Sequence, residues 1–347
     1  MDDDINGIRV QARPTCYLCN SSGEPLYKGL EDNLFGIVGS WNLNRCPRSD
    51  CDLAWLDPMP IAEDIVKLYE RYLTHSLTTS SPKREIGTAS SGIKKTSLAT
   101  EFGYNDLSPR LWSAFRAFLN RRSGVSEELM GSRISRLHAL ERGRLVDVGC
   151  GNGKFLARMR ALGWDVFGVE PDPKAAQIGR EAYGLTIYSG TLEDSSFSLE
   201  SFDAVTMAHV IEHLTDPLST LKAARRILKK GGYLLIHTPN LSSLGHRWFG
   251  HHWRGLEPPR HLFLFSPTAL LKIVRMAGFD IYDLQTIFAD SMWNESSALK
   301  HRVSLQNLPE GYAKRSGHLY MAFQRYITGW PLYRSWGEQL SVVAVKA

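Results

Sequence analysis

Asp147, Gly149, Cys150, Gly151 and Gly153 fall in one short stretch, Leu145 to Gly153, and Glu170 follows one strand and one helix later. Glycines at alternate positions let a ligand lie against bare backbone amides, with a helix N-terminus behind them. A carboxylate at the tip of the next strand suits the two hydroxyls of a ribose. The spacing Gly149-x-Gly151-x-Gly153 is not the G-x-G-x-x-G that cradles a dinucleotide pyrophosphate. Asp147 just ahead of the loop favours a ligand with a cationic tail over a phosphorylated one.

Two further groups are equipped for chemistry. His209, Glu212 and His213 lie within one turn after a predicted strand, and histidine is the natural base for removing a hydroxyl proton near neutral pH. The same His209-x-x-Glu212-His213 spacing also fits a divalent ion; a helix-capping Glu212 beside a structural histidine is the simpler account. Cys16-x-x-Cys19 and Cys46-x-x-x-x-Cys51 have the residue types and nearly the spacing to close around one structural Zn²⁺, the alternative being unliganded thiols. Cys150, inside the glycine loop, is a small packing residue.

Alternating strands and helices must position these groups. From Arg144 onward the pattern predicts strands at Leu145–Val148, Asp165–Val169, Leu185–Tyr188, Ser201–Met207, Tyr233–His237, Asp280–Thr286 and Leu340–Val345. Between them fall helices at Lys154–Arg160, Pro173–Tyr183, Pro217–Leu228 (stopped by Gly231-Gly232) and from Pro267 to Gly278. That alternation predicts an α/β fold, a doubly wound parallel sheet with ligands at the carboxyl ends of its strands. Apolar spacing predicts a helix over Ile61–Leu73 and another at Leu111–Leu119, with a Ser/Thr/Lys-rich linker or lid from Thr74 to Thr100. Three regions result: a Cys-rich module at 1–60, a helical linker or lid at 61–140, and a ligand-binding domain at 141–347.

With 347 residues and a formal charge of +5, the chain does not call for a nucleic-acid partner. No apolar run reaches membrane-spanning length, and the acidic start, Met1-Asp2-Asp3-Asp4, does not suit a secretory signal, so a cytoplasmic protein is expected. His246 to Arg254 interleaves aromatic and basic residues after the fifth strand, the place for a substrate wall. Tyr320 to Tyr333 suggests a helix over the sheet.

Several ordered motifs together resemble the class I S-adenosylmethionine (SAM)-dependent methyltransferases, in particular the ubiquinone-biosynthesis-like branch and its bacterial methyltransferase-23-type relatives. They are Val146–Gly153, Glu170-Pro171-Asp172, Ser201–Val205, His209–Pro217, Leu228-x-x-Gly231-Gly232, Thr238-Pro239-Asn240 and Pro259–Ser266. The resemblance implies a Rossmann-like sheet of seven strands with a small Cys-rich, zinc-ribbon-like N-terminal module and a helical cap. It implies that Asp147, Gly149, Cys150, Gly151 and Gly153 line the methionine part of SAM and that Glu170, with Pro171, meets the ribose. Thr191, Leu192 and Glu193 would border the adenine; Thr191 stands where many relatives have Asp. Ala208 and His209 would lie near the reactive methyl, and His261 would join His209 and His213 as a candidate base. The expected activity is methyl transfer from SAM to a small or carrier-linked acceptor, most naturally a hydroxyl in glycan, quinone or secondary metabolism. The rival expectations are a methyltransferase of nucleic acid or protein, for which the Cys-rich module is the only candidate recognition unit, and a non-catalytic SAM- or nucleotide-binding subunit.

Overall fold

The structure, a computed structural model, describes residues 3–69, 137, 141–287, 290–301 and 335–347. The predicted linker Thr74–Thr100, the predicted helix Leu111–Leu119 and the Tyr320–Tyr333 segment lie outside the described residues.

The N-terminal region folds as two small antiparallel sheets. β1 (Asp3–Ile5) and β2 (Ile8–Gln11) pair through a turn, and a later short strand, β6 (Met59–Pro60), joins β2. β3 (Glu24–Leu30), β4 (Trp41–Arg45) and β5 (Ala54–Leu56) form the second sheet. Its fourth strand comes from the distant β12 (Phe263–Leu264), with Phe263 paired to Trp55. The Cys-rich module and the large domain therefore share a sheet and one apolar core. Over the predicted helix Ile61–Leu73, residues 70–73 lie outside the described residues and the described part forms a 3₁₀ segment, Ala62–Tyr69. Its buried Asp64 accepts from the Arg9 backbone N–H and from the Arg9 guanidinium and Lys67 ammonium, which ties the segment to β2. With three residues per turn, Ile65 and Leu68 still share one side, so the apolar spacing was right and the helix type was not.

The large domain carries β7 (Arg144–Val148), β8 (Asp165–Glu170), β9 (Thr186–Ser189), β10 (Phe202–Ala208), β11 (Leu228–Pro239), β13 (Phe279–Ile287) and β14 (Gln339–Lys346). They are ordered β13-β14-β11-β10-β7-β8-β9. Not every strand is parallel, as the alternation implied: β14 runs antiparallel to both β11 and β13. It slots between them without a crossover helix, which an antiparallel neighbour does not need. Helices α1 (Lys154–Ala161), α2 (Pro173–Tyr183), α3 (Pro217–Ile227), α4 (Leu244–Phe249), α5 (Pro267–Met276) and α6 (Asp290–Lys300) complete the described architecture.

Local chemistry sets these boundaries. Asp172, Asp216 and Ser266 cap α2, α3 and α5 by accepting backbone N–H bonds, each followed by a proline in the first turn. The predicted stop of α3 at Gly231-Gly232 is corrected: α3 ends at Ile227 and β11 starts at Leu228. The glycine pair instead forms an irregularity in β11, where Phe202 pairs with Leu228 but Ala204 with Tyr233. Gly231 there has φ +75, and a Cβ on Gly232 would meet the Lys229 carbonyl at 2.9 Å. Val146, Val205, Met207, Leu234 and Ile236 are all buried, as expected of central strands covered on both faces.

Candidate active site

The carboxyl ends of β7, β8 and β10 bring the predicted ligand residues together. Asp147 is buried at the end of β7 and accepts from the Thr206 hydroxyl at 2.6 Å. All three loop glycines have positive φ, yet for different reasons. A Cβ on Gly149 would strike Val210 at 2.5 Å and one on Gly153 would strike Leu185 at 2.5 Å, so both serve packing. A Cβ on Gly151 would meet nothing within 4 Å, so this glycine opens onto free space. Glu170 stands over it, accepting from the Gly151 N–H at 2.7 Å and from the Asp172 N–H at 2.9 Å. Burial pushes its carboxyl above the usual range, while the two amide bonds oppose that shift. Cys150 packs under the loop against Gly168, and burial raises its thiol far above the ordinary range. Pro171 is exposed at the rim.

Past β9, Thr191 donates to the Asp194 carboxylate at 2.7 Å, so the loop carries an acid although position 191 does not. Leu192 is core, and Glu193 accepts from the Thr220 hydroxyl on α3. The loop amides are not bare as the sequence suggested: Gly149 and Cys150 donate to the Val169 carbonyl, Gly153 to Cys150 and Gly151 to Glu170, so acids, more than free amides, are what the loop offers a ligand such as SAM.

The histidines gather beyond β10, but they are not equivalent. His209 follows Ala208 with φ +56 and keeps more than a third of its side chain exposed. Its Nδ1 lies 3.2 Å from Glu212 Oε1. A carboxylate accepts, so Nδ1 carries the proton and the Nε2 lone pair is left over. Glu212 is fully buried, and its other oxygen accepts from the Thr238 hydroxyl at 2.9 Å. Burial alone would raise the Glu212 carboxyl, but the His209 bond and three nearby imidazoles hold it at about 2. Glu212 is thus the partner of His209, and the helix-capping role expected for it is not seen.

His213 is half-buried, with Nδ1 3.0 Å from the Arg260 carbonyl and 2.9 Å from the Tyr69 hydroxyl. His261 is buried and donates from Nδ1 to the Gly255 carbonyl at 2.7 Å. Its ring meets that of His213 edge-on at 4.7 Å. Burial brings His261 down to about 4 despite Glu257 nearby. One ligand atom each from Glu212, His213 and His261 lies within 4.8 Å of the others, a group that differs from the predicted 209-212-213 set.

Acid should expose this arrangement. The unfolded chain protonates His261 near its ordinary value, the folded chain only near 4, so unfolded chains bind the extra proton between those values. Stability falls as pH drops through that window, and Glu212, depressed to about 2, extends the loss further down. His261→Gln should flatten the slope of melting temperature against pH between about 6.5 and 4. An unchanged slope would refute burial of a neutral His261.

At the other end of the chain, Cys16, Cys19, Cys46 and Cys51 have all four sulfurs within 4.8 Å of one another. Cys16 and Cys51 are 3.6 Å apart, Cys19 and Cys46 3.4 Å. A tetrahedral Zn–S site with bonds of about 2.3 Å places its sulfurs only slightly farther apart, so the four thiols fit one ion. Burial pushes Cys16 up to about 11, and Cys51 higher still. Cys19 is less covered; against burial, its hydrogen bonds with Ser21, Cys46 and Cys16 bring it to about 6.

The tract from His246 to Arg254 divides. His246 is buried, bonded to the Leu241 carbonyl and the Tyr27 hydroxyl, and Trp253 donates from the core to Glu338. Trp248 is 64% exposed, 6.2 Å from Trp293. Of the tract expected to form a substrate wall, His246 and Trp253 are thus core while Trp248 faces outward. Sequence reasoning missed Tyr69, Asp32 and Glu257 near the histidines. Only the short spacing of Glu257 to Arg260 and His261 was a local signal.

The chain is similar in sequence to known methyltransferases. A family model described as a methyltransferase domain matches residues 120–284. A ubiquinone biosynthesis O-methyltransferase of Cereibacter sphaeroides (strain ATCC 17025 / ATH 2.4.3) is 35% identical over 168 residues, 44% of this chain and 67% of the relative. One of the same name from Xanthomonas campestris pv. campestris (strain B100) is 29% identical over 160 residues, 40% and 67% of the two chains. A solved SAM-dependent methyltransferase from Archaeoglobus fulgidus aligns over 67% of this chain and 100% of its own, at 19% identity and TM-score 0.44.

Proposed function

The chain belongs to the class I SAM-dependent methyltransferases, and from that premise we propose that it O-methylates a small or carrier-linked acceptor, with His209 as the base. The observation that carries this reading is the His209–Glu212 pair at the carboxyl edge of the sheet. SAM, when bound, supplies a methyl group already made electrophilic by its sulfonium. The chain's own residues must hold the acceptor in line, exclude water and take up the hydroxyl proton. Glu212 fixes the ring of His209 and stabilises the imidazolium that forms, so the proton ends on Nε2. His261 is too enclosed to reach an acceptor and His213 already serves two partners, so both act as support. Asp147, Gly149, Gly151, Gly153 and Glu170 hold the cofactor; Thr191, Leu192 and Glu193 border its base.

The test is direct. Incubating the full chain with SAM and a panel of phenols, hydroxylated quinone precursors and sugars should give a methyl mass gain on a hydroxyl compound. Gain only on nucleic acid or protein would overturn the acceptor class. Calorimetry should show SAM and its demethylated product binding in about the micromolar range and NAD not binding; NAD binding without SAM would overturn the cofactor.

The region boundaries 1–60, 61–140 and 141–347 follow the same reading, with one structural Zn²⁺ in the first. Crowded thiolates repel one another unless a cation sits among them. Metal analysis should find about one zinc per chain after chelator-free purification. Cys16→Ser should lose the metal together with stability. Well-folded protein with negligible zinc would leave the cysteines as ordinary thiols.

A further inference from the structure

Three contacts run from the N-terminal residues 3–69 (two from the Cys-rich module and one from the 3₁₀ segment after it) to the loops that carry the histidines, and all three land within a few residues of His213 or His261. Arg260 is the main one. Its guanidinium is fully buried and grips both oxygens of Asp32, each at 3.0 Å. It lies over the Phe35 ring at 4.1 Å and donates from Nε to Glu257 at 2.9 Å. Asp32 is itself held by the backbone N–H groups of Leu34, Phe35 and Ile37. The Arg260 carbonyl is the one that takes the His213 Nδ1, and the next residue is His261. Moving Arg260 therefore moves both rings.

The second contact is the Tyr69 hydroxyl at His213 Nδ1, 2.9 Å away. The third is Tyr17, next to Cys16, whose hydroxyl bonds the Asp216 carboxylate and accepts from the Leu218 N–H at 3.2 Å. This seam is polar where simple adhesion needs no polarity. The module is already attached through the β5–β12 pairing and a continuous apolar core. A buried ion pair adds little net stability against apolar packing of the same shape, because both charges lose their water. What it adds is a single allowed geometry, since two N–H groups and two oxygens must meet in one plane.

We propose that the Cys-rich module and the 3₁₀ segment that follows it are a positioning part of the catalytic centre, with Asp32 of the module acting through Arg260, and Tyr69 of the segment acting directly, to fix the rings of His213 and His261 beside the His209–Glu212 pair. The proposal rests on the reading of this pair as the methyl-transfer centre. None of Asp32, Arg260 and Tyr69 is a catalytic residue; each is a positioning residue.

The test uses the full chain with imidazole ¹⁵N labels, where long-range ¹H–¹⁵N spectra report the tautomer and surroundings of each ring. His213 and His261 should both show the Nδ1–H tautomer in the parent protein. Asp32→Asn should shift the signals of both while His237, in the sheet, stays in place. Tyr69→Phe, which keeps the ring and removes only the hydroxyl, should shift His213. With an accepted acceptor, both variants should lower kcat by on the order of 10- to 100-fold, with SAM affinity unchanged. Folded variants whose histidine signals do not move overturn the proposal, as does unchanged kcat in a variant whose signals do move. Should Asp32→Asn fail to fold, Tyr69→Phe decides alone. The spectra need no methyl transfer, so a failure of His209 as base remains a separate result.

Discussion

His209→Ala lowers methyl transfer by about two to four orders of magnitude while SAM binds nearly as before. The expectation comes from the position of the ring more than from its type. His209 sits where β10 ends, in a left-handed backbone conformation that turns the chain sharply out of the sheet. Its Nδ1 is committed to a carboxylate that water cannot reach, and the rest of the ring remains open. Such an imidazole takes a proton at Nε2 without rearranging. Glu212→Gln should copy much of the loss, because the amide keeps the contact to Thr238 but no longer balances an imidazolium. A general base also leaves a rising limb in the pH profile of kcat, which should vanish in the alanine variant. Full turnover of His209→Ala at neutral pH would remove the base from the mechanism and leave positioning as the source of rate.

Glu170→Ala should weaken SAM by about 10- to 100-fold or more without unfolding the chain. A charged acceptor holding two hydroxyls contributes about 1–3 kcal/mol, and each 1.4 kcal/mol is tenfold. The structure makes the upper end the expectation. The same carboxylate that would meet the ribose also fastens the Gly151 and Asp172 amides. Its removal takes a ligand contact away and loosens the loop against which the ligand lies. Glu170→Gln retains an acceptor for one amide and should fall between the two. Calorimetry with SAM, alongside circular dichroism to show that the fold persists, checks the series. A folded Glu170→Ala that binds SAM as well as the parent would separate Glu170 from the cofactor.

The amino-acid sequence by itself determined the succession of strands and helices around the site, and it did so through local chemistry. Apolar runs ending in Asp147, Glu170 and His209 placed these residues at strand tips, because a strand buried on both faces must be apolar until it emerges. The glycine spacing picked out the ligand loop, and Asp172, Asp216 and Ser266 marked helix starts within a residue or two. The paired cysteines at 16/19 and 46/51 marked two distant segments as neighbours. The tertiary structure alone decided which of three histidines is available. All three have the same side chain, but burial is set by what packs over a residue, and that comes from far along the chain. Asp32 meets Arg260 across 228 positions, and Tyr69 meets His213 across 144. No periodicity records such pairs, since loop closure, not neighbouring residues, brings them into contact. The antiparallel seating of β14 and the sharing of β12 with the N-terminal sheet escape the sequence for the same reason. β14 is paired on both sides, and which strands flank it, and in which direction, follows from the whole sheet and not from its own residues.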